Sequence, residues 1–81
     1  MIIYVGNIAP TVTETTIKKL FEQYGTVTTL NFVSDPRTKQ FKGFAFLNMP
    51  AYDEALLAID AMHGIDLDGA ILVVTPAPQQ E

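Results

Sequence analysis

The chain of 81 residues predicts a two-layer α+β domain whose elements run βαββαβ. Three observations predict it. Four short segments alternate apolar and polar residues, as half-buried strands do. Two segments between them switch to helical spacing. Clusters of Gly, Pro, Asn and Asp punctuate the junctions.

Residues 2–7 are rich in β-branched and aromatic side chains and form the first strand, which Ala9-Pro10-Thr11 breaks. Thr13 is placed to cap a helix, with Glu14 in its first turn against the helix dipole. Ile17, Leu20, Phe21 and Tyr24 follow at helical spacing, and Gly25 supplies the stop. Residues 27–34 form the second strand, with Leu30 and Phe32 on one side and Thr29, Asn31 and Val33 on the other. A turn-like stretch, Asp35-Pro36-Arg37-Thr38-Lys39-Gln40, leads into the third strand, residues 42–49. Pro50 suits the first position of a second helix. Its inner face is Ala55, Ala58, Ile59 and Met62, and Gly64 ends it. Asp68-Gly69 makes a tight turn before the last strand, residues 71–75, and residues 76–81 are left as a short flexible tail. The domain is therefore expected over residues 1–75.

This order is the split-βαβ, ferredoxin-like plan. Right-handed crossovers place both helices on one face of a four-stranded antiparallel sheet, strand order 4-1-3-2. The other face is left without a cover. The expected core comprises Val5, Ile17, Leu20, Phe21, Leu30, Phe32, Ala45, Leu47, Ile59, Leu72 and Val74.

Composition narrows the function classes. One small core must be built without staples, because the chain has no cysteine for disulfides or thiolate metal sites and draws on its 48% hydrophobic residues. No apolar run approaches the ~18 residues of a membrane span, and a strand begins almost at Met1, so a soluble, cytoplasmic protein is expected. Enzymatic chemistry finds little footing. Ser34 is the only serine, His63 the only histidine, and no glycine loop cradles a phosphate before a helix. No metal, cofactor or small-molecule substrate is expected. His63 reads as a residue of the helix end, and Asp66 and Asp68 as turn residues rather than a catalytic pair.

One strand stands apart. Lys42-Gly43-Phe44-Ala45-Phe46-Leu47-Asn48-Met49, read at period two, puts Lys42, Phe44 and Phe46 on one face and Gly43, Ala45 and Leu47 on the other. The first set is an odd surface to leave open, while the second suits close packing under helices. The octamer resembles that of the RNA-recognition motif, Lys/Arg-Gly-Phe/Tyr-Gly/Ala-Phe-Val-x-Phe/Tyr. Five of seven specified positions match; Leu47 replaces valine, and Met49 departs at the last aromatic position. Ile3-Tyr4-Val5-Gly6-Asn7-Ile8 resembles the same family's first-strand hexamer. Both motifs occur in the right order, and the resemblance covers roughly residues 2–75.

The resemblance implies a module that binds single-stranded RNA, or single-stranded DNA by the same chemistry. Tyr4, Phe44 and Phe46 would form one aromatic platform on neighbouring central strands, on which bases stack. Lys42 would reach a phosphate, and Arg37 and Lys39 would clamp phosphates from the loop. Asn31, Val33 and Thr75 share the open face; Asn7 is better placed to organise the following loop than to touch a base. The family's basic ending is missing: after Val74 the chain reads Thr75-Pro76-Ala77-Pro78-Gln79, without the expected arginines. An alternative of another class is a protein-interaction module that kept this fold. The acidic net charge of −4 and the leucines Leu56 and Leu57 on the second helix support it, with Leu57 opposite the inner face. A monomer is expected, with self-association or a protein contact through that helix as the alternative.

Charge sets a first expectation. If only Arg37, Lys39 and Lys42 reach phosphates, about three counterions are released, and affinity should fall with salt at a log–log slope of roughly −2 for a single strand. Titrations across a salt series measure it. A slope near about −6 would reveal a basic surface that these three residues do not account for.

Overall fold

Alternation in the strands decides which way the sheet faces. The computed structural model describes the backbone of residues 1–34 and 41–77, and their side chains except those of Ser34, Phe41 and Lys42. Its elements are β1 (Ile2–Gly6), α1 (Glu14–Glu22), β2 (Thr29–Ser34), β3 (Phe41–Asn48), α2 (Tyr52–Met62), β4 (Asp66–Leu67), β5 (Ala70–Ile71) and β6 (Val73–Pro76). Strands β2, β3, β1 and β6 lie side by side in that order, every neighbouring pair antiparallel, while β4 and β5 form a separate small hairpin. With β6 as the fourth strand of the main sheet, this is the expected ferredoxin-like arrangement.

The inner face of the sheet carries Ile3, Val5, Ala45, Leu47 and Val74, all fully or almost fully buried. Against it pack Ile17 and Phe21 of α1 and Ala55, Ala58 and Met62 of α2. Every buried residue among those described is apolar. Phe21 is the largest fully buried side chain. Removing so large a buried ring typically costs ~3–5 kcal/mol. Leu20, Leu30, Phe32 and Ile59 pack against this cluster but are only partly buried, so they flank the core rather than fill it. The shortest extent of the molecule, 18 Å, corresponds to one sheet and one helical layer. No helix among the described residues is long and apolar enough to cross a membrane.

α1 starts as its sequence dictates. The Thr13 side chain accepts from the Thr16 N–H at 3.3 Å, with Glu14 in the first turn. Its ending has a different cause from the one expected. The helix stops at Glu22, and Gly25 lies beyond it, where α2 comes close. A Cβ on Gly25 would meet Glu54 Oε1 and lie 2.6 Å from Glu54 Cβ. The missing side chain lets Glu54 reach across and accept from the Thr26 N–H at 3.3 Å. Pro50 likewise precedes the helix instead of opening it. Ala51 is the N-cap residue and Tyr52 the first helical one, because Met49 is still held to the sheet by its N–H on Met1 O.

Two strands differ in extent from the sequence-based expectation. β2 begins at Thr29: Val27 turns into the core, and the Thr28 N–H already donates to Asn48 O. The expected last strand, 71–75, is divided at Leu72. Ala70 and Ile71 belong to the hairpin, whose turn at Asp68 and Gly69 has φ of 53° and 86°, and β6 begins at Val73. Two positive φ values are the mark of a two-residue hairpin turn. The Leu72 backbone makes the division, donating to Ile65 O and accepting from the Gly64 N–H. β6 then runs past Thr75 through Pro76, and the Ala77 N–H donates to Ile2 O.

That last bond fixes the phase of β6. Val73, Thr75 and Ala77 turn their backbone groups toward β1, and Leu72, Val74 and Pro76 turn theirs outward. Exposed edge donors invite pairing with other chains. Here Leu72 N–H is taken by Ile65 O, Val74 N–H by His63 Nδ1 at 3.0 Å, and Pro76 has none. His63 therefore sits at the helix end, as expected, but its ring serves the sheet edge. His63→Ala should cost about 1 kcal/mol by leaving the Val74 N–H without its acceptor. Urea denaturation gives the stability change, and faster exchange of the Val74 amide should accompany it. Unchanged exchange would show that the ring does not hold this group.

Candidate nucleic-acid interface

The outer face of the sheet has no helix over it. Cross-strand register places Thr75, Tyr4, Phe46 and Asn31 in a single row across all four strands. Beside it Val73 faces Gly6 and Phe44 faces Val33; on the other side Ile2, Asn48 and Thr29 align. Strand spacing makes the four-strand row about 14 Å long. Five of the sequence-predicted residues, Tyr4, Phe44, Phe46, Asn31 and Val33, thus gather in one patch, with Thr75 at its edge.

The three rings touch one another. Tyr4 lies 5.8 Å from Phe44 and 5.7 Å from Phe46 between ring centroids, and Phe44 lies 6.1 Å from Phe46. Interplanar angles of 38°, 57° and 86° mean that no pair is parallel-stacked. Such tilted and edge-on pairs are favourable, at ~0.5–1.5 kcal/mol beyond area burial. The rings hold each other in place without one ring lying flat on another's face. Phe46 is 36% exposed, and Val73 (40%) and Ile71 (50%) continue the apolar surface toward the β4–β5 hairpin.

Two glycines shape this patch, for different reasons. Gly6 lies under the Tyr4 ring: an added Cβ would be 2.5 Å from Tyr4 Oη and 2.8 Å from Cε1. Its lack of a side chain lets the ring lie along β1. Sequence reasoning missed this role, although a glycine two positions after an aromatic on the same strand face was the available signal. Gly43 has φ of 82°, and pairing between β2 and β3 shifts there from Val33–Phe44 to Ser34–Phe41. The expectation that Gly43 only supplies a small inward residue is corrected. It supplies a left-handed backbone at an irregularity, and regular alternation holds from Phe44 onward. Met49, the octamer's departure from the aromatic pattern, is fully buried, so the change falls in the core and not on the platform.

Asn7 adopts φ of 57°, and its side-chain amide donates to Ile71 O at 2.7 Å. Together with a Thr11–Asp68 hydrogen bond of 3.1 Å, it pins the β1–α1 loop to the hairpin. The amide is thereby engaged in the scaffold. Asp66 Oδ1 accepts from the Gly69 N–H at 3.0 Å, so both Asp66 and Asp68 serve the turn. Among the described residues no group of His, Asp and Glu is arranged to hold a metal ion.

The described side chains of the open face carry no charge; Lys18 and Lys19 are on α1. Arg37 and Lys39 lie outside the described residues, and so does the side chain of Lys42. Leu56 and Leu57 are not part of the platform; they project from α2 on the opposite side of the molecule. Ala61, on the same helix, packs against the core.

Comparison with known proteins fits this geometry. The family model of the RNA recognition motif matches residues 3–73. The chain belongs to that family. The putative RNA-binding protein RbpA of Nostoc is 38% identical over 81 residues, covering 100% of the chain and 79% of RbpA. Protein elav of Drosophila melanogaster is 38% identical over 73 residues, and the organelle RRM domain-containing protein 6, chloroplastic, of Arabidopsis thaliana is 40% identical over 75. These matches cover 90% and 93% of the chain but only 15% and 41% of those longer proteins. Among solved structures, RNA binding protein PG1 superposes with a TM-score of 0.93 at 33% identity, covering 100% of this chain and 98% of PG1. The Rna15 RRM with bound RNA (GU) superposes at 0.85 with 26% identity, covering 99% and 85%.

In this RNA recognition motif the platform depends on the room above Gly6. Gly6→Ala should push the Tyr4 ring off β1 and weaken its contacts with Phe44 and Phe46, while amides of the buried core keep their positions. Ring-to-ring nuclear Overhauser contacts in the aromatic region check this. Unaltered contacts in the alanine variant would show that the backbone yields instead of the ring.

Proposed function

We propose that this domain is a binding module, not an enzyme, and that it takes single-stranded RNA on the open face of its sheet. The observation that carries the reading is the mutual contact of Tyr4, Phe44 and Phe46 on a face that neither helix covers. Unpaired bases offer flat apolar faces that stack on aromatic rings, each contact contributing ~1–3 kcal/mol by alanine substitution. A duplex hides those faces, so single strands are the fitting ligand. Asn31, in the row of Phe46, is placed to hydrogen-bond a base edge, and Val33 and Thr75 to bound the patch. Arg37, Lys39 and Lys42 are assigned the phosphates on sequence grounds alone. Likeness to the Rna15 RRM with bound RNA and to RbpA supports the reading.

Modest affinity follows from a platform whose described side chains are uncharged and from the net charge of −4, because phosphate neutralisation supplies much of the binding in basic domains. The domain works as a monomer in this reading, leaving α2 free on the far side. Single-stranded DNA would stack on the same rings; paired titrations with RNA and DNA of one sequence separate the two.

The test is a titration of isotope-labelled protein with a randomised single-stranded RNA pool, followed by amide spectra. Amides of Tyr4, Phe44, Phe46, Asn31 and Val33 should move more than those of either helix. Phe44→Ala should weaken binding by ~1–3 kcal/mol with the fold intact, since a stacking ring contributes to the ligand more than to the core. Wild-type affinity in that variant would overturn the stacking mechanism.

A further inference from the structure

α2 has a second face that its packing does not use. Ala55, Ala58 and Met62 point into the core. On the side away from them Tyr52 is 65% exposed, Leu57 61% and Leu56 42%. Tyr52 and Leu56 are one helical turn apart and therefore adjacent, as are Asp53 and Leu57; Asp60 lies a turn beyond both leucines. Tyr52 and Leu56 form one apolar edge and Leu57 the other, with the exposed Asp53 and Asp60 on the strip between them. Glu54, the helix's other acid, is turned the opposite way toward Thr26.

The charged side chains of α2 itself have one sign, Asp53, Glu54 and Asp60. All five Lys and Arg residues lie at or before Lys42; beyond it the charged side chains are Asp53, Glu54, Asp60, Asp66, Asp68 and Glu81. This excludes several occupants. RNA and anionic membranes are repelled. A two-fold contact with a second copy would set Asp53 and Asp60 against their own images. A head-to-tail contact with α1 brings lysines but no apolar partner, since the exposed side chains of α1 are polar or charged.

We infer that the outer face of α2 docks a basic amphipathic segment of a partner protein, one that lays apolar side chains between Tyr52, Leu56 and Leu57 and directs Lys or Arg to Asp53 and Asp60. The helix and the aromatic platform lie on opposite sides of the sheet, so one domain holds RNA and protein at once.

The probe is a synthetic 18-residue peptide of leucine and lysine in amphipathic helical order, with a twin in which glutamate replaces each lysine. The labelled 81-residue chain is titrated with each and followed by amide spectra. The lysine peptide should shift amides of residues 52–61 saturably, leave Tyr4, Phe44 and Phe46 unmoved, and the glutamate twin should not bind. Leu57→Ser and, separately, Leu56→Ser should each weaken binding at least fivefold; both sites are exposed, and an otherwise unchanged spectrum verifies folding. Asp53→Lys with Asp60→Lys should do the same. Wild-type affinity in both leucine variants, or shifts spread equally over the acidic hairpin at Asp66 and Asp68, would reduce the effect to charge adsorption and overturn the inference. Binding of the glutamate twin, no saturable binding at all, or a dimer in sedimentation that Leu57→Ser abolishes would overturn it too.

Discussion

Both helices pack on the same face of the sheet, and the remaining architecture depends on that constraint. Ile17 and Phe21 from α1 and Ala55, Ala58 and Met62 from α2 close over Ile3, Val5, Ala45, Leu47 and Val74. Burial there drives folding at roughly 25 cal/mol per Å² of apolar surface. Because strand side chains alternate, filling one face commits the alternate residues to the other. Tyr4, Phe44 and Phe46 are exposed for the same reason that Val5, Ala45 and Leu47 are buried. The open aromatic face is thus a direct consequence of the packing.

A four-stranded open sheet must also deal with its edges. The β6 edge is closed by local means, with each outward position answered separately. Leu72 is tied to Ile65, Val74 to His63, and Pro76 carries no donor. The ends of the sheet are secured through contacts far apart in sequence. Asn7 reaches Ile71, and Thr11 reaches Asp68. These links stiffen the rim of the platform while leaving the rings free.

The cations are confined to the first part of the sequence. Cations end at Lys42, and the acids beyond it lie on α2, on the β4–β5 hairpin and at the last residue. The open face is uncharged among the described side chains.

The sequence by itself determined the order of the two helices and the four strands of the main sheet, the inner and outer sides of those strands and the three rings. All of these follow from local periodicity: period two sorts Leu47 from Phe46, and Thr13 caps a helix through a bond three residues away. Tertiary structure decided whatever depends on residues distant in the chain. Gly25 is small because Glu54 arrives from another helix, and no local pattern announces that approach. Leu72 divides the last strand because Ile65 and Gly64 claim its backbone. Gly6 has no side chain because the Tyr4 ring, held by Phe44 and Phe46 from a neighbouring strand, lies over it. Periodicity reports which face a residue takes; only the assembled fold reports what it meets there.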